Sequence, residues 1–201
     1  MTQDPSRDED LVLQAQLGDE AAFAELVRRH EHRVYTLALG MLHNPADAED
    51  ILQETFISAL RGLKNFRGDA SFATWLYRIA YNATLMKLRK ASPTLSLDET
   101  IEGDENDLPR ELTDWSHDPI DAALHAETRA VMDAAIAALP AAARAVFIMR
   151  DVDGLSTEET AAALGISIEA VKVRLHRARL ALREQLTPYF STRRREQKEV
   201  T

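Results

Sequence analysis

Five aromatic rings, Phe66, Phe72, Trp75, Tyr77 and Tyr81, are interleaved with bases between Asn65 and Lys90. That mixture suits single-stranded nucleic acid, whose exposed bases stack on rings while its phosphates need cations. From Arg61 to Lys90, seven bases (Arg61, Lys64, Arg67, Arg78, Lys87, Arg89 and Lys90) stand against Asp69 alone. On a wheel of ~100° per residue, Arg78, Asn82 and Arg89 share one side, with Trp75 beside them. Asn82 can offer a donor and an acceptor to a base edge. The competing reading makes the rings core. It is the better one for Phe72 and Ile79, whereas Arg78 and Asn82 read as functional.

A second cationic stretch lies near the C-terminus. Ser156 to Arg183 has the proportions of a helix-turn-helix: a short helix, the turn Leu164-Gly165-Ile166-Ser167, then a longer helix. Ile168, Val171, Leu175, Ala178 and Leu182 form its apolar stripe. Glu169, Val173, His176 and Arg177 lie opposite, flanked by Lys172 and Arg183. Five bases (Lys172, Arg174, Arg177, Arg179 and Arg183) stand against Glu169 between 168 and 183. Such a face suits the major groove, where Arg and Lys read guanine and cations meet phosphates. A plain amphipathic helix in a small bundle is the bland alternative. Turn chemistry, length and charge together favour duplex DNA.

A third face is acidic: Asp47, Asp50, Gln53, Glu54 and Ile57 share one side of a helix. It could dock a basic partner, the charges steering and the isoleucine anchoring, or it could be simply solvated. The residues alone leave both open. Catalysis finds no footing, since there is no P-loop, nucleophile elbow or glycine-rich phosphate cradle. His30 and His32 point to different helix faces and the other histidines are scattered. Neither a metal nor a cofactor is expected.

The elements that must position these faces are helices. Asp19 begins one with Phe23, Leu26, Val27, Val34, Leu37 and Met41 inward. Asn44-Pro45 ends it and caps the next, which buries Ala48, Leu52, Phe56, Ala59 and Leu63. Ser71 caps a third, running to about Lys90. Further helices are predicted over about 119–138, 141–152, 157–163 and 168–186. Gly154 and Gly165 are placed as helix ends, Ser156 and Glu159 form a capping box, and Thr187-Pro188 closes the last helix. Between Asp98 and Asp121 ten carboxylates meet one base, so this segment carries the whole net charge of −9 and the remainder balances. The expectation is an all-α chain: a helical domain over 1–91, an acidic linker over 92–118, a helix-turn-helix domain over 119–190 and a polar tail over 191–201. Cysteine is absent, the N-terminus lacks an apolar signal core, and no stretch approaches the ~18 apolar residues of a membrane span. A soluble, cytoplasmic protein without membrane insertion is expected.

Several segments resemble the sigma-70 family of RNA polymerase sigma factors. Ala48 through Phe56, Phe66-Arg67-Gly68-Asp69 and Thr74 through Asn82 are similar to the signature of region 2. Asp153-Gly154-Leu155-Ser156 and Val171 through Arg179 are similar to region 4. With only these two regions present, the resemblance is to the extracytoplasmic-function subgroup. It implies that Asp47, Asp50, Gln53, Glu54 and Ile57 bind core polymerase. It also implies that Phe66, Trp75, Arg78, Asn82 and Arg89 meet melted −10 DNA, with Phe66 and Asn82 capturing a flipped base. Lys172, Val173, Arg174, His176, Arg177 and Arg179 would read the −35 duplex. Val173 departs from the small polar residue often found there, and Tyr81 through Met86 is less typical than its flanks. Core polymerase, promoter DNA and an anti-sigma factor are the implied partners, and the action implied is binding without catalysis. A helix-turn-helix regulator with an N-terminal sensor domain is the main rival.

Overall fold

The computed structural model describes residues 5–91 and 122–199, with side chains described over 8–91 and 127–191. The acidic linker and the expected helix start at Asp118-Pro119 lie outside the described residues. Within them the chain is helical. In order come α1 (Pro5–Gln16), α2 (Glu20–Leu42), α3 (Pro45–Gly62), a 3-10 turn (Leu63–Asn65), α4 (Phe72–Ala91), α5 (Ala122–Ala137), α6 (Ala141–Phe147), a π turn (Ile148–Val152), α7 (Thr157–Leu164) and α8 (Ile168–Glu199).

The expected caps are in place. Asp19 accepts from the amides of Ala21 and Ala22, and Asn44 accepts from Ala46 and Asp47 with Pro45 in the first turn. Ser71 Oγ accepts from the Thr74 amide. Ser156 and Glu159 exchange both bonds of the capping box ahead of α7. Gly165 ends α7 at φ 68°, a left-handed conformation that costs glycine little.

Leu26, Val34, Leu37 and Met41 of α2 are buried against Phe56, Ala59 and Leu63 of the α3 segment and Phe72, Leu76 and Tyr77 of α4. Each large apolar side chain removed from water in this way contributes roughly 1.5–3 kcal/mol. In the second half, Ala135 and Leu139 at the end of α5 pack on Ala178, Leu182 and Leu186 of α8. Val146 of α6 packs on Ala161, Val171 and Leu175. The stripe predicted for α8 is thus the one that is buried.

Two elements depart from the sequence reading. Helix α1 was not anticipated, because Leu11, Val12 and Ala15 make too short an apolar repeat to signal it. Long-range contacts hold it: Asp8 meets His30 at 2.7 Å and Arg29 at 2.8 Å, and Gln16 Nε2 donates to the carbonyls of Leu63 and Phe66 at 2.9 Å each. Helix α8 also runs through Pro188 to Glu199 rather than closing at Thr187. Proline removes one backbone donor, but buried Leu186 before it and half-buried Phe190 beyond it keep the segment packed on the α5 side. Packing overrides the local break.

The two halves also meet. Ala145, Ile148, Met149, Leu155 and Ala163 join the same apolar cluster as the residues of α2 and α4.

Candidate polymerase and nucleic-acid interfaces

The acidic face forms as a surface of α3. Asp50, Gln53 and Glu54 are exposed, Asp47 is half-buried, and Ile57 is 50% exposed with Leu60 one turn further at 54%. Sequence reasoning overlooked Lys87. Its ammonium reaches from α4 to Asp47 at 2.6 Å and Asp50 at 2.9 Å. Hydrogen bonds to Asp47 and then Asp50 raise its pKa. Only its membership of the basic run marked it in the sequence. Among the five residues, Gln53, Glu54 and Ile57 lie beyond this bridge and stay open to a partner.

On α4, Arg78, Asn82 and Arg89 are all exposed along one face. Phe66 is half-buried, its ring 4.9 Å from Trp75 and 6.2 Å from Phe72. Trp75 in turn lies over Gly62, where a Cβ would come within 3.2 Å of the indole. The three rings make a corner of tilted and edge-on contacts at one end of the face, and Asn82 stands nearly two turns away along it. Phe72 is 4% exposed and belongs to the core, as its position predicts. The Arg78 guanidinium is engaged: Nε donates to the Ala162 carbonyl at 3.1 Å, joined by Nη2.

On α8, Lys172 and Arg177 are exposed and Val173, Arg174 and His176 half-buried. Arg179 is held instead by Asp151, through Nε at 2.8 Å and Nη2 at 2.7 Å. That bidentate pair ties α8 to the π turn and separates Arg179 from the residues beside which it was read.

Where the halves meet, Asp153 carries a perturbed carboxyl. Burial pushes its pKa up to about 6, although Tyr77, Arg33 and His32 pull the other way. The Tyr77 hydroxyl faces the Asp153 carboxylate and favours its charged form as a donor, and burial and then the Asp153 charge raise the Tyr77 pKa. A cleft of about 510 Å³ opens beside them, lined by Phe66, Arg67 and Ser71 from one half and Asp153, Gly154 and Glu159 from the other.

A helix-turn-helix with a cationic outer face, joined to a bundle that carries a basic aromatic helix and an exposed acidic face, is the frame of a DNA-binding protein. Comparison with known proteins gives the family. Residues 26–94 match Sigma-70 region 2 and residues 129–182 match Sigma-70 region 4. The chain is 38% identical to the ECF RNA polymerase sigma factor SigW of Bacillus subtilis, over 87% of this chain and 94% of that one. It is 36% identical to the ECF RNA polymerase sigma-E factor of Escherichia coli K12, over 90% and 95%. The solved structure of CnrH in complex with the cytosolic domain of CnrY superposes with a TM-score of 0.67 at 27% identity, covering 90% of this chain and 98% of that one. The chain belongs to the extracytoplasmic-function subgroup of the sigma-70 family and is an RNA polymerase sigma factor acting in transcription initiation.

Proposed function

We propose that the first half of this chain docks core polymerase through Asp47, Asp50, Gln53, Glu54 and Ile57, and holds melted −10 DNA through Phe66, Trp75, Arg78, Asn82 and Arg89. The second half reads the −35 duplex through Lys172, Val173, Arg174, His176 and Arg177, with Arg179 serving to brace the helix. In this reading residues 1–91 and 119–190 are the two working domains and 92–118 spans them. Capture of an unstacked base on the Phe66–Asn82 face offsets the few kcal/mol that flipping costs. The chain acts by binding. Phosphodiester chemistry and its magnesium belong to the polymerase, so the site of action is the cytoplasm. An anti-sigma factor completes the partners, a reading supported by the capture of CnrH with a cytosolic domain of another protein.

The observation that carries the reading is the exposure of Asp50, Gln53, Glu54 and Ile57 on one face of α3 while Asn82 and Arg89 are exposed on α4. The test is charge reversal of Asp50 and Glu54. The double variant should keep its helical content and lose core polymerase in a pull-down, and with it transcription from a genomic library. Undiminished polymerase binding would rule the docking face out.

A further inference from the structure

We propose that Met86 is a specificity-determining residue of the single-strand reading face, its side chain packing on the 5-methyl group of a thymine next to the base that Asn82 holds. The inference rests on the assignment of Asn82 and Arg89 to −10 DNA.

The outward side of α4 is narrow. Its exposed residues are Arg78, Asn82, Met86, Arg89, Lys90 and Ala91. At ~100° per residue the first four fall within an arc of about 80°, so they form one row along the helix. Every member of that row is polar or charged except Met86, which is 57% exposed. Leu85 and Leu88, to either side, pack against the core, whereas Met86 stays outside it. A lone apolar residue on a solvated surface is ordinary. This one is set apart by its place, one turn beyond Asn82 and one turn short of Arg89, inside the row that carries the polar groups of the reading face.

Chemistry then selects the ligand. A thioether is a weak acceptor and no donor, so Met86 cannot read the hydrogen-bonding edge of a base. Its flexible, polarisable chain is suited to apolar surface. Among the four bases, thymine alone presents a methyl group on the edge that proteins read. The charges of Arg89 and Lys90 draw the phosphate backbone to this end of the helix. Along the axis Met86 lies about 6 Å beyond Asn82, at ~1.5 Å per residue. That is between one and two of the ~3.4 Å steps of a stacked strand, and the rotatable bonds of methionine cover the difference. The base it meets is therefore the immediate neighbour of the one at Asn82.

Met86 also closes the stretch, Tyr81 through Met86, in which the chain is less like the sigma-70 signature than on either side. A reader placed there gives this chain a base preference of its own.

The test uses holoenzyme reconstituted from the full-length chain and core polymerase. Its template is a promoter recovered by transcription from a genomic library and randomised over the −10 region. Wild-type holoenzyme should select thymine at one position, beside the position whose preference Asn82→Ala relaxes. Met86→Ala should relax that thymine alone. Met86→Gln should turn the preference toward adenine, whose N6 and N7 a glutamine amide can hold. Alanine and glutamine both favour helix, so either variant should keep its helical signal. In a selected promoter, deoxyuridine in place of that thymine should slow open-complex formation about fourfold with the wild type, the ratio for taking one methyl group out of water. With Met86→Ala the same replacement should change nothing. Equal loss on every sequence in Met86→Ala would mean stacking on base faces without selection, and overturns the proposal. A wild-type holoenzyme indifferent to uracil overturns it too, and a position relaxed by Asn82→Ala then leaves the −10 assignment standing. If Asn82→Ala relaxes no position, that assignment falls and the proposal falls with it.

Discussion

At the scale of single residues, side-chain type and spacing revealed which groups face outward and missed which are already bound within the chain. Asn82, Lys172 and Arg177 were legible because a polar residue opposite an apolar stripe must face outward, and each is exposed. Arg179 was not, because its partner Asp151 lies on a separate turn that periodicity cannot bring near. The distinction predicts unequal effects. Arg177→Ala should weaken −35 duplex binding by about 1–3 kcal/mol if the side chain meets a base. Arg179→Ala should act mainly through stability, and equal losses of sequence discrimination for both in binding titrations would contradict the Asp151 brace. Asp153 was equally invisible, since its burial depends on the other half of the chain. Its folded pKa of about 6 stands above the ordinary 3.8, so the chain with its halves packed together holds the proton more tightly than one with them apart. That packing is accordingly favoured below pH ~4 and loses that contribution as pH rises through 6. Tyr77, Arg33 and His32 are the charged or titratable groups acting on it, and Glu159 acts on Tyr77. The Asp8 carboxyl behaves in the opposite sense: burial pushes it up, but His30 and Arg29 hold it below its ordinary value, so α1 docking weakens as pH falls. Packing of the halves, followed by energy transfer between dyes at the exposed positions Leu17→Cys and Gln185→Cys, should therefore rise from pH 7.5 to pH 5 in the wild type, about 10-fold at most per pH unit from one proton, and stay flat in Asp153→Asn. A slope retained in that variant would assign the titration to another group.

At the scale of elements, caps were the surest reading and lone helices the least sure. Asp19, Asn44, Ser71 and Ser156 each begin a helix in the structure as their side-chain chemistry requires. Helix α1 escaped because its stability is not in its own twelve residues but in Asp8, His30 and Gln16 contacts that span the bundle. Pro188 misled for the same reason, since Leu186 and Phe190 secure the helix on both sides of it. The capping box offers a clean measure of how far one element matters to DNA reading. Ser156→Ala removes an acceptor for the Glu159 amide, and typically costs ~1 kcal/mol. Because α7 seats the recognition helix through Ala161 against Val171 and Leu175, the loss should appear in the denaturation midpoint of the chain and in −35 affinity together. A midpoint shift without any change in affinity would mean that α8 keeps its place without α7.

At the scale of the whole molecule, the sequence disclosed two helical units and the segment that carries all the net charge, but not that the units share a core. That is a limit of periodicity. An apolar stripe shows which side of a helix is buried and cannot say whether the covering surface comes from the same half. Ile148, Met149 and Leu155 belong to the second half by sequence, yet they complete the cluster of Leu26, Leu37 and Leu76. Stability should follow the shared core. Small chains whose parts bury one another unfold in a single cooperative step, so the wild type should melt with coincident transitions by every probe. Gly40→Arg strikes the junction first, since a Cβ at that position would stand 2.5 Å from Ile148 Cδ1. Forcing bulk into a packed contact typically costs ~1–3 kcal/mol, and for units of this size each kcal/mol lowers the melting point by about 4–8 °C. The half with less core of its own should absorb that loss. The second half keeps Leu139, Val146, Val171, Leu175, Leu182 and Leu186 with several alanines for itself and gives Ile148, Met149 and Leu155 to the shared cluster, so the second half should melt first, several degrees below the first. Calorimetry on Gly40→Arg should accordingly resolve two peaks where the wild type has one. A single peak at the wild-type temperature would mean that the halves touch without stabilising each other.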